Sequence, residues 1–261
     1  MQESVQQVLR VPTLASFDRS YHRWNMTHAA AVTIFIVGSQ FEAIAVASTA
    51  ALTIWVAIAL PLLFALGYRR HPDGAGPGLP NALTATRAFS AVLLVGLSGA
   101  LRAGLAPGAV IQGAAPWWLA GALAVITLTD FFDGRIARRM QAGRFGQTWD
   151  MECDAAYALG LSLLLRTMYQ VPLFVLAIGL MRYLYVLVWH YDGDPERVPR
   201  IYKLYAKTVT ALLVSGLIVS LIPTIPQTER VVLLAVLLGL QSVSFLWDLI
   251  LQRRSIVRSQ A

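Results

Sequence analysis

The sequence predicts an all-α polytopic membrane bundle, a core of six helices preceded by an N-terminal hairpin of two. Three observations carry that expectation. Of 261 residues, 57% are hydrophobic and only 13% charged, whereas a soluble domain has about 25% charged residues. Apolar segments recur along the chain, several of them approaching the roughly 20 residues of helix that cross a hydrocarbon core. The basic residues also fall in alternate connections between those segments, as they do when lipid orients a chain.

Taken in order, residues 1–23 read as a polar cytoplasmic arm with room for a short surface helix. They lack the apolar core and small-residue cleavage site of a signal peptide, so no cleaved leader is expected. The apolar run Ala29–Gly67 is too long for one span, and the polar stretch Gly38 to Glu42 is the natural turn. This gives a hairpin which, with a linker rich in Gly and Pro, fills residues 24–77. The core, 78–261, carries apolar segments near 82–101, 115–131, 152–168, 171–190, 207–223 and 230–250. One side of this eight-span arrangement collects Arg69, Arg70, Arg135, Arg138, Arg139, Arg144, Arg197, Arg200, Lys203 and Lys207, together with the basic residues of both termini. The other holds Arg102, Arg166 and Arg230. The split places both termini in the cytoplasm, and the expected location is a bacterial inner membrane. Trp117 and Trp118 at one interface and Trp189 and Trp247 at the other read as aromatic belts. The single cysteine, Cys153, rules out an intrachain disulfide and reads as a packed, reduced thiol.

The informative polar residues are carboxylates. Asp130 and Asp133 lie three apart at the cytoplasmic end of one span, and Asp150 and Asp154 four apart at the start of the next. Either spacing puts a pair on one helix face. A tight connection would join the pairs into a cluster of four acids at the membrane boundary. Unpaired, these would repel one another and be costly to dehydrate, so a cation is expected among them. All-oxygen ligands suit Mg²⁺ or Mn²⁺, which complete their shells with substrate phosphates. Gly134 and Ala137 lack bulk beside the acids and would let a nucleotide approach, with Arg138 placed for phosphate or ribose.

The pattern Asp-x2-Asp-Gly-x2-Ala-Arg-x7-Gly-x3-Asp-x3-Asp, met at every fixed position from Asp130 to Asp154, resembles the signature of the CDP-alcohol phosphotransferase family. Pro80-Asn81-Ala82-Leu83-Thr84 followed by Arg87 is similar to the opening of that family's first core helix. The resemblance covers roughly residues 78–250. It implies a homodimeric membrane enzyme that transfers the phospho-alcohol portion of a CDP-alcohol to an acceptor hydroxyl and releases CMP. It further implies two ions of Mg²⁺ or Mn²⁺ held by Asp130, Asp133, Asp150 and Asp154, with Asp154 also the general base. Asn81, Ala82, Leu83, Thr84, Gly134, Arg138 and Gly146 would contact the CDP portion. The chain departs from the family pattern in the run Asp150-Met-Glu-Cys-Asp154, where many relatives have Pro-x-Ala-Asp. Its extra acid, Glu152, points off the Asp150/Asp154 face and reads as solvated or paired with an arginine. Gly143 stands where many relatives have a hydroxyl on the nucleotide.

For the acceptor, Arg182 lies inside an apolar segment, where a charge is expensive and usually functional. It resembles the position at which relatives set an arginine toward the acceptor cavity. Arg200, Lys203 and Lys207 share a helix face, so the four could bind a polar, phosphorylated alcohol; plain charge asymmetry explains the loop residues equally well. The leading expectation is therefore transfer of a phosphatidyl group from CDP-diacylglycerol to a polar alcohol in phospholipid biosynthesis. Transfer from a small CDP-alcohol to diacylglycerol is the alternative within the family, and a cation-coupled transporter the alternative outside it. No nucleic-acid partner is expected. The hairpin lies outside the resemblance and shows no chemistry of its own.

Overall fold

Lipid offers no partner for backbone N–H and C=O groups, so a chain that crosses it without forming a barrel must do so as helix. The computed structural model describes residues 14–70, 79–105, 113–139, 144–189 and 199–260. For 14–22, 67–70, 79–83, 129–139, 144–148, 188–189, 200, 203 and 252–260 the description covers the backbone alone. Among these residues there are eight α-helices and no strand: α1 Leu14–Gly38, α2 Ala45–Arg70, α3 Leu79–Arg102, α4 Ala115–Arg139, α5 Arg144–Tyr169, α6 Val175–Trp189, α7 Arg200–Val219 and α8 Gln227–Gln260. The expected hairpin is α1 and α2, and α3 to α8 form the six-helix set. The hairpin turn falls at residues 39–41, followed by a single 3₁₀ turn, Glu42–Ile44, with Glu42 exposed. Helix α1 starts at Leu14, inside the stretch expected to be a polar arm, so that stretch and the expected first span share one helix.

Helices Glu42–Leu66, Thr84–Arg102 and Gln227–Leu251 are long and apolar enough to cross a membrane. Shorter apolar stretches occupy Ala115–Leu128, Val175–Leu187 and Leu204–Val219. Large apolar side chains face outward on these helices, among them Ile54, Leu93, Val125, Val243 and Leu246. In water that would be a liability; against lipid tails it is the ordinary surface of a multi-pass membrane protein.

Helix α5 is the axis of the bundle. From Glu152 to Leu165 every residue except Asp154 is buried, which is how a helix packed on all sides reads. It packs against α3, α6, α2 and α7, while the hairpin lies on the core through α1 against α6 and α2 against α3 and α5. Small residues permit the closest approaches, as expected where packing instead of water exclusion drives helix association. A Cβ on Gly160 would stand 2.9 Å from Leu94 Cβ and 3.2 Å from the Ala91 carbonyl oxygen, on α3. A Cβ on Gly179 would stand 2.5 Å from the backbone Cα of Leu159, so α6 sits directly on α5 there.

At one end of the bundle three arginines are tied to backbone carbonyls. Arg102 donates to the Ser39 carbonyl at 2.5 Å and to Thr167 Oγ1 at 3.2 Å, and Arg166 to the Val171 carbonyl at 2.8 Å. Arg230 reaches the Ser220 and Ile222 carbonyls just past α7 (2.8 and 3.1 Å) and lies 3.7 Å over the Tyr169 ring. Helix C-termini leave carbonyls without partners, and a cation there both satisfies them and matches the helix dipole.

The Gly179 contact has a direct consequence. Gly179→Ala forces α5 and α6 apart and should cost about 1–3 kcal/mol by overpacking, seen as a lower Tm in detergent. Gly121→Ala, where a Cβ meets nothing within 4 Å, should leave Tm unchanged.

Candidate active site

The opposite end of the bundle is built around Arg87 on α3. Its guanidinium is 3% exposed and forks onto two acids of α5, Nη2 donating to Asp150 Oδ1 and Nη1 to Asp154 Oδ1. Asp150 and Asp154 occupy successive turns of α5, so both face α3. A buried guanidinium is tolerated only when its charge is paired, and the two-pronged shape of arginine suits two carboxylates at once. The acids themselves stay open to the outside: their side chains are 45% and 25% exposed. Thr84, one turn before Arg87, is buried beside the clamp at 3.5 Å. The arrangement is a counter-charge behind and carboxylate oxygens in front.

The other acid pair, Asp130 and Asp133, rides on α4, near its C-terminal end. Their side chains lie outside the described residues, but the backbone fixes their level. Only residues 140–143 separate α4 from α5. The Tyr157 hydroxyl of α5 donates to the Leu123 carbonyl of α4 at 3.3 Å. Asp130 is seven residues beyond Leu123 and Asp150 seven residues before Tyr157. On helices rising 1.5 Å per residue both therefore stand about 10 Å from that hydrogen bond, toward the same end.

Glu152 does leave the Asp150/Asp154 face, as its spacing implies. It is buried against α6, where its Oε1 accepts from Arg182 Nη2 at 2.8 Å; the side chains are 2% and 15% exposed. Of the two environments its position allowed, arginine pairing is the one present. Cys153 is buried and free. Beyond Arg182, the Tyr185 hydroxyl donates to Asp248 Oδ2 at 2.5 Å, and Tyr202 donates to the Ser244 carbonyl at 3.0 Å, binding α6, α7 and α8 together. Burial, with Asp248 nearby, pushes the Tyr202 hydroxyl up to about 12, so it remains a donor at any physiological pH.

A family model described as CDP-alcohol phosphatidyltransferase matches residues 78–247, which is α3 through most of α8. The chain belongs to this family. Neither the curated proteins nor the solved structures compared with it gave a match. As a CDP-alcohol phosphatidyltransferase family member it is a membrane transferase acting with a CDP-alcohol and an alcohol acceptor, in a family that is generally divalent-metal dependent. Among the described residues no group of three His, Cys, Asp or Glu converges on a metal position; two of the four signature acids have side chains outside them. The two that are described fit a hard divalent cation: both are oxygen donors, and both are partly exposed beside a buried arginine that holds them in place.

Most of the expected nucleotide residues are fixed only by backbone. Asn81, Ala82 and Leu83 open α3, Gly134 and Arg138 lie on α4 and Gly146 on α5; their side chains lie outside the described residues, as do those of Arg200 and Lys203, and Gly143 falls outside altogether. Lys207 is exposed on α7. The residue that sequence reasoning left without a role is Arg87. Its signal is present, since it is a cation inside an apolar helix, where charge marks function; within the family resemblance it stands only as part of a helix opening. Tyr157, which sets the α4/α5 level, carried no signal distinct from an ordinary core aromatic.

Arg87→Gln keeps length and a donor but removes the counter-charge and the fork. Transferase activity should then fall by about 10²-fold, the cost of misplacing reacting groups by about an ångström. Mn²⁺ binding measured by calorimetry should persist, because the acids themselves remain.

Proposed function

We propose that the protein transfers the phosphatidyl group of CDP-diacylglycerol to the hydroxyl of a polar alcohol, releasing CMP, at a site on the cytoplasmic face of the membrane. The observation that carries the proposal is the Arg87 clamp, which presents Asp150 and Asp154 outward from the one end of the bundle where all four signature acids stand. The charge split of the loops supports the cytoplasmic orientation, and family membership supports a homodimer; the location assigned is a bacterial inner membrane.

In this reading Asp130, Asp133, Asp150 and Asp154 hold two Mg²⁺ or Mn²⁺ ions, which when bound supply charge neutralisation on the diphosphate. Asn81, Ala82, Leu83 and Thr84, with Gly134, Arg138 and Gly146, receive the CDP portion; the glycines leave room for it and Arg138 offers a cation to phosphate or ribose. Arg182, Arg200, Lys203 and Lys207 draw in the acceptor, whose polar end is then phosphorylated or otherwise anionic. Arg87 engages Oδ1 of Asp154, and Oδ2 is the oxygen assigned to take the acceptor's hydroxyl proton. The acceptor oxygen forms a bond to the phosphorus carrying the diacylglycerol. The bond from that phosphorus to the bridging oxygen breaks, and the electron pair leaves with CMP. Positioning and charge compensation are the main demands of such a transfer.

Purified protein with CDP-diacylglycerol, Mg²⁺ and in turn sn-glycerol 3-phosphate, myo-inositol 1-phosphate, myo-inositol and serine should release CMP with at least one acceptor. Release only from a small CDP-alcohol given diacylglycerol would reverse the assignment of donor and acceptor; no release with either would refute the reading. Two variants separate the roles of the acids. Asp154→Asn should bind metal and CDP-diacylglycerol normally yet turn over about 10²–10⁴-fold more slowly. Asp133→Asn should lose metal affinity and activity together, with partial rescue by excess Mg²⁺ or Mn²⁺.

A further inference from the structure

The hairpin lies outside the segment that the family model matches, yet it touches the turn of α5 that carries the active-site acids. Trp149 immediately precedes Asp150 and is buried. Its ring meets that of Phe64, near the C-terminal end of α2, edge to face, with centroids 5.2 Å apart and planes at 74°. Aromatic pairs favour this arrangement, because the positive edge of one ring meets the negative face of the other. The Trp149 indole N–H has no hydrogen-bond partner among the described residues. Among them, the ring is fixed by packing.

On a helix of 3.6 residues per turn, Trp149 and Cys153 share one face, while Asp150 and Asp154 share the face about 100° further round. The first face is closed, since Trp149, Cys153 and Ala156 are all buried. On the second, Arg87 of α3 forks onto both acids, which stay partly open. The start of α5 is thus held by α3 on one side and by α2 on an adjacent one; both helices pack against α5. Helix ends open more readily than helix centres. A cation bound by carboxylates near such an end gains affinity from whatever keeps the segment ordered before the ion arrives.

We propose that Phe64 is a positioning residue for the active site: through Trp149 it braces the start of α5 from the hairpin side and so keeps Asp150 and Asp154 arranged for a divalent cation. The hairpin then contributes to metal affinity without supplying a ligand. This rests on the reading of Asp150 and Asp154 as metal ligands.

The test uses the full-length protein in detergent, with Mn²⁺ binding measured by calorimetry and Cys153, the single cysteine, as a reporter. Cys153 lies one turn beyond Trp149 and is fully buried, so N-ethylmaleimide reaches it only when this part of α5 opens. Phe64→Leu keeps an apolar side chain but removes the ring. It should weaken Mn²⁺ binding about fivefold, the size of an aromatic pair's contribution, and speed Cys153 alkylation by about the same factor. Leu52→Ala is the control: Leu52 is fully buried on the same helix, about 18 Å from Phe64 along its axis. It should lower Tm at least as much, by leaving a cavity, yet change neither quantity. Either quantity unchanged in Phe64→Leu, or changed equally in Leu52→Ala, would overturn the proposal. If the wild-type protein binds no Mn²⁺, the reading of the acids as ligands falls, and the alkylation rates still decide whether Phe64 braces α5. Should Phe64→Leu not fold, Phe64→Met, whose unbranched side chain fills irregular gaps, takes its place with the same expectations.

Discussion

A charged guanidinium inside a membrane bundle can be stable in very few places, and this requirement organises the active-site end. Arg87 is buried on α3 and is held there by two carboxylates of α5. Two acids one turn apart can share one arginine only if α3 and α5 keep a fixed register and lie close. The close approach comes from packing: Gly160 of α5 against Ala91 and Leu94 of α3. Electrostatics and sterics thus specify the same geometry at two heights along one helix pair. That agreement marks a sequence consistent with its fold.

The helical architecture was legible from composition and apolar runs alone, because the length of a span is a demand of the bilayer and leaves a pattern any window can find. The hairpin turn at Gly38 to Glu42 and the six later helices follow from it. The start of α1 was less visible: Leu14 onward is polar enough to resemble an arm, and hydropathy does not show that a helix extends beyond its apolar run. The acids Asp150 and Asp154 were legible because their spacing is a local property of one helix. Arg87 was not assigned a role, since its partners are more than sixty residues away and only tertiary packing introduces them. Glu152 lay between these cases. Helical geometry turned it away from its acidic neighbours, but nothing in the sequence distinguished water from Arg182 as its partner.

The acids also show how one helix can be buried and open at once. Asp150 and Asp154 share a helix with a run of fully buried leucines, yet remain partly open because they lie within its first three turns. On the same three turns Glu152 faces inward and Cys153 is sealed in the core. One short stretch therefore meets solvent, a cationic clamp and the helix packing, on three different sides. Substitutions there will seldom change one property alone.

The three arginines at the far end bear on how the protein meets its lipids. Every one is engaged by the chain's own carbonyls, so none is presented as a free cation to a phospholipid headgroup. The sequence places only two acids in the turns at that end, Glu42 and Glu229. A leaflet facing such a surface meets little that discriminates anionic from zwitterionic lipid. The other leaflet faces clusters of arginine and lysine. Changes in headgroup charge should then be felt from one side of the membrane only, the side at which the proposed reaction takes place.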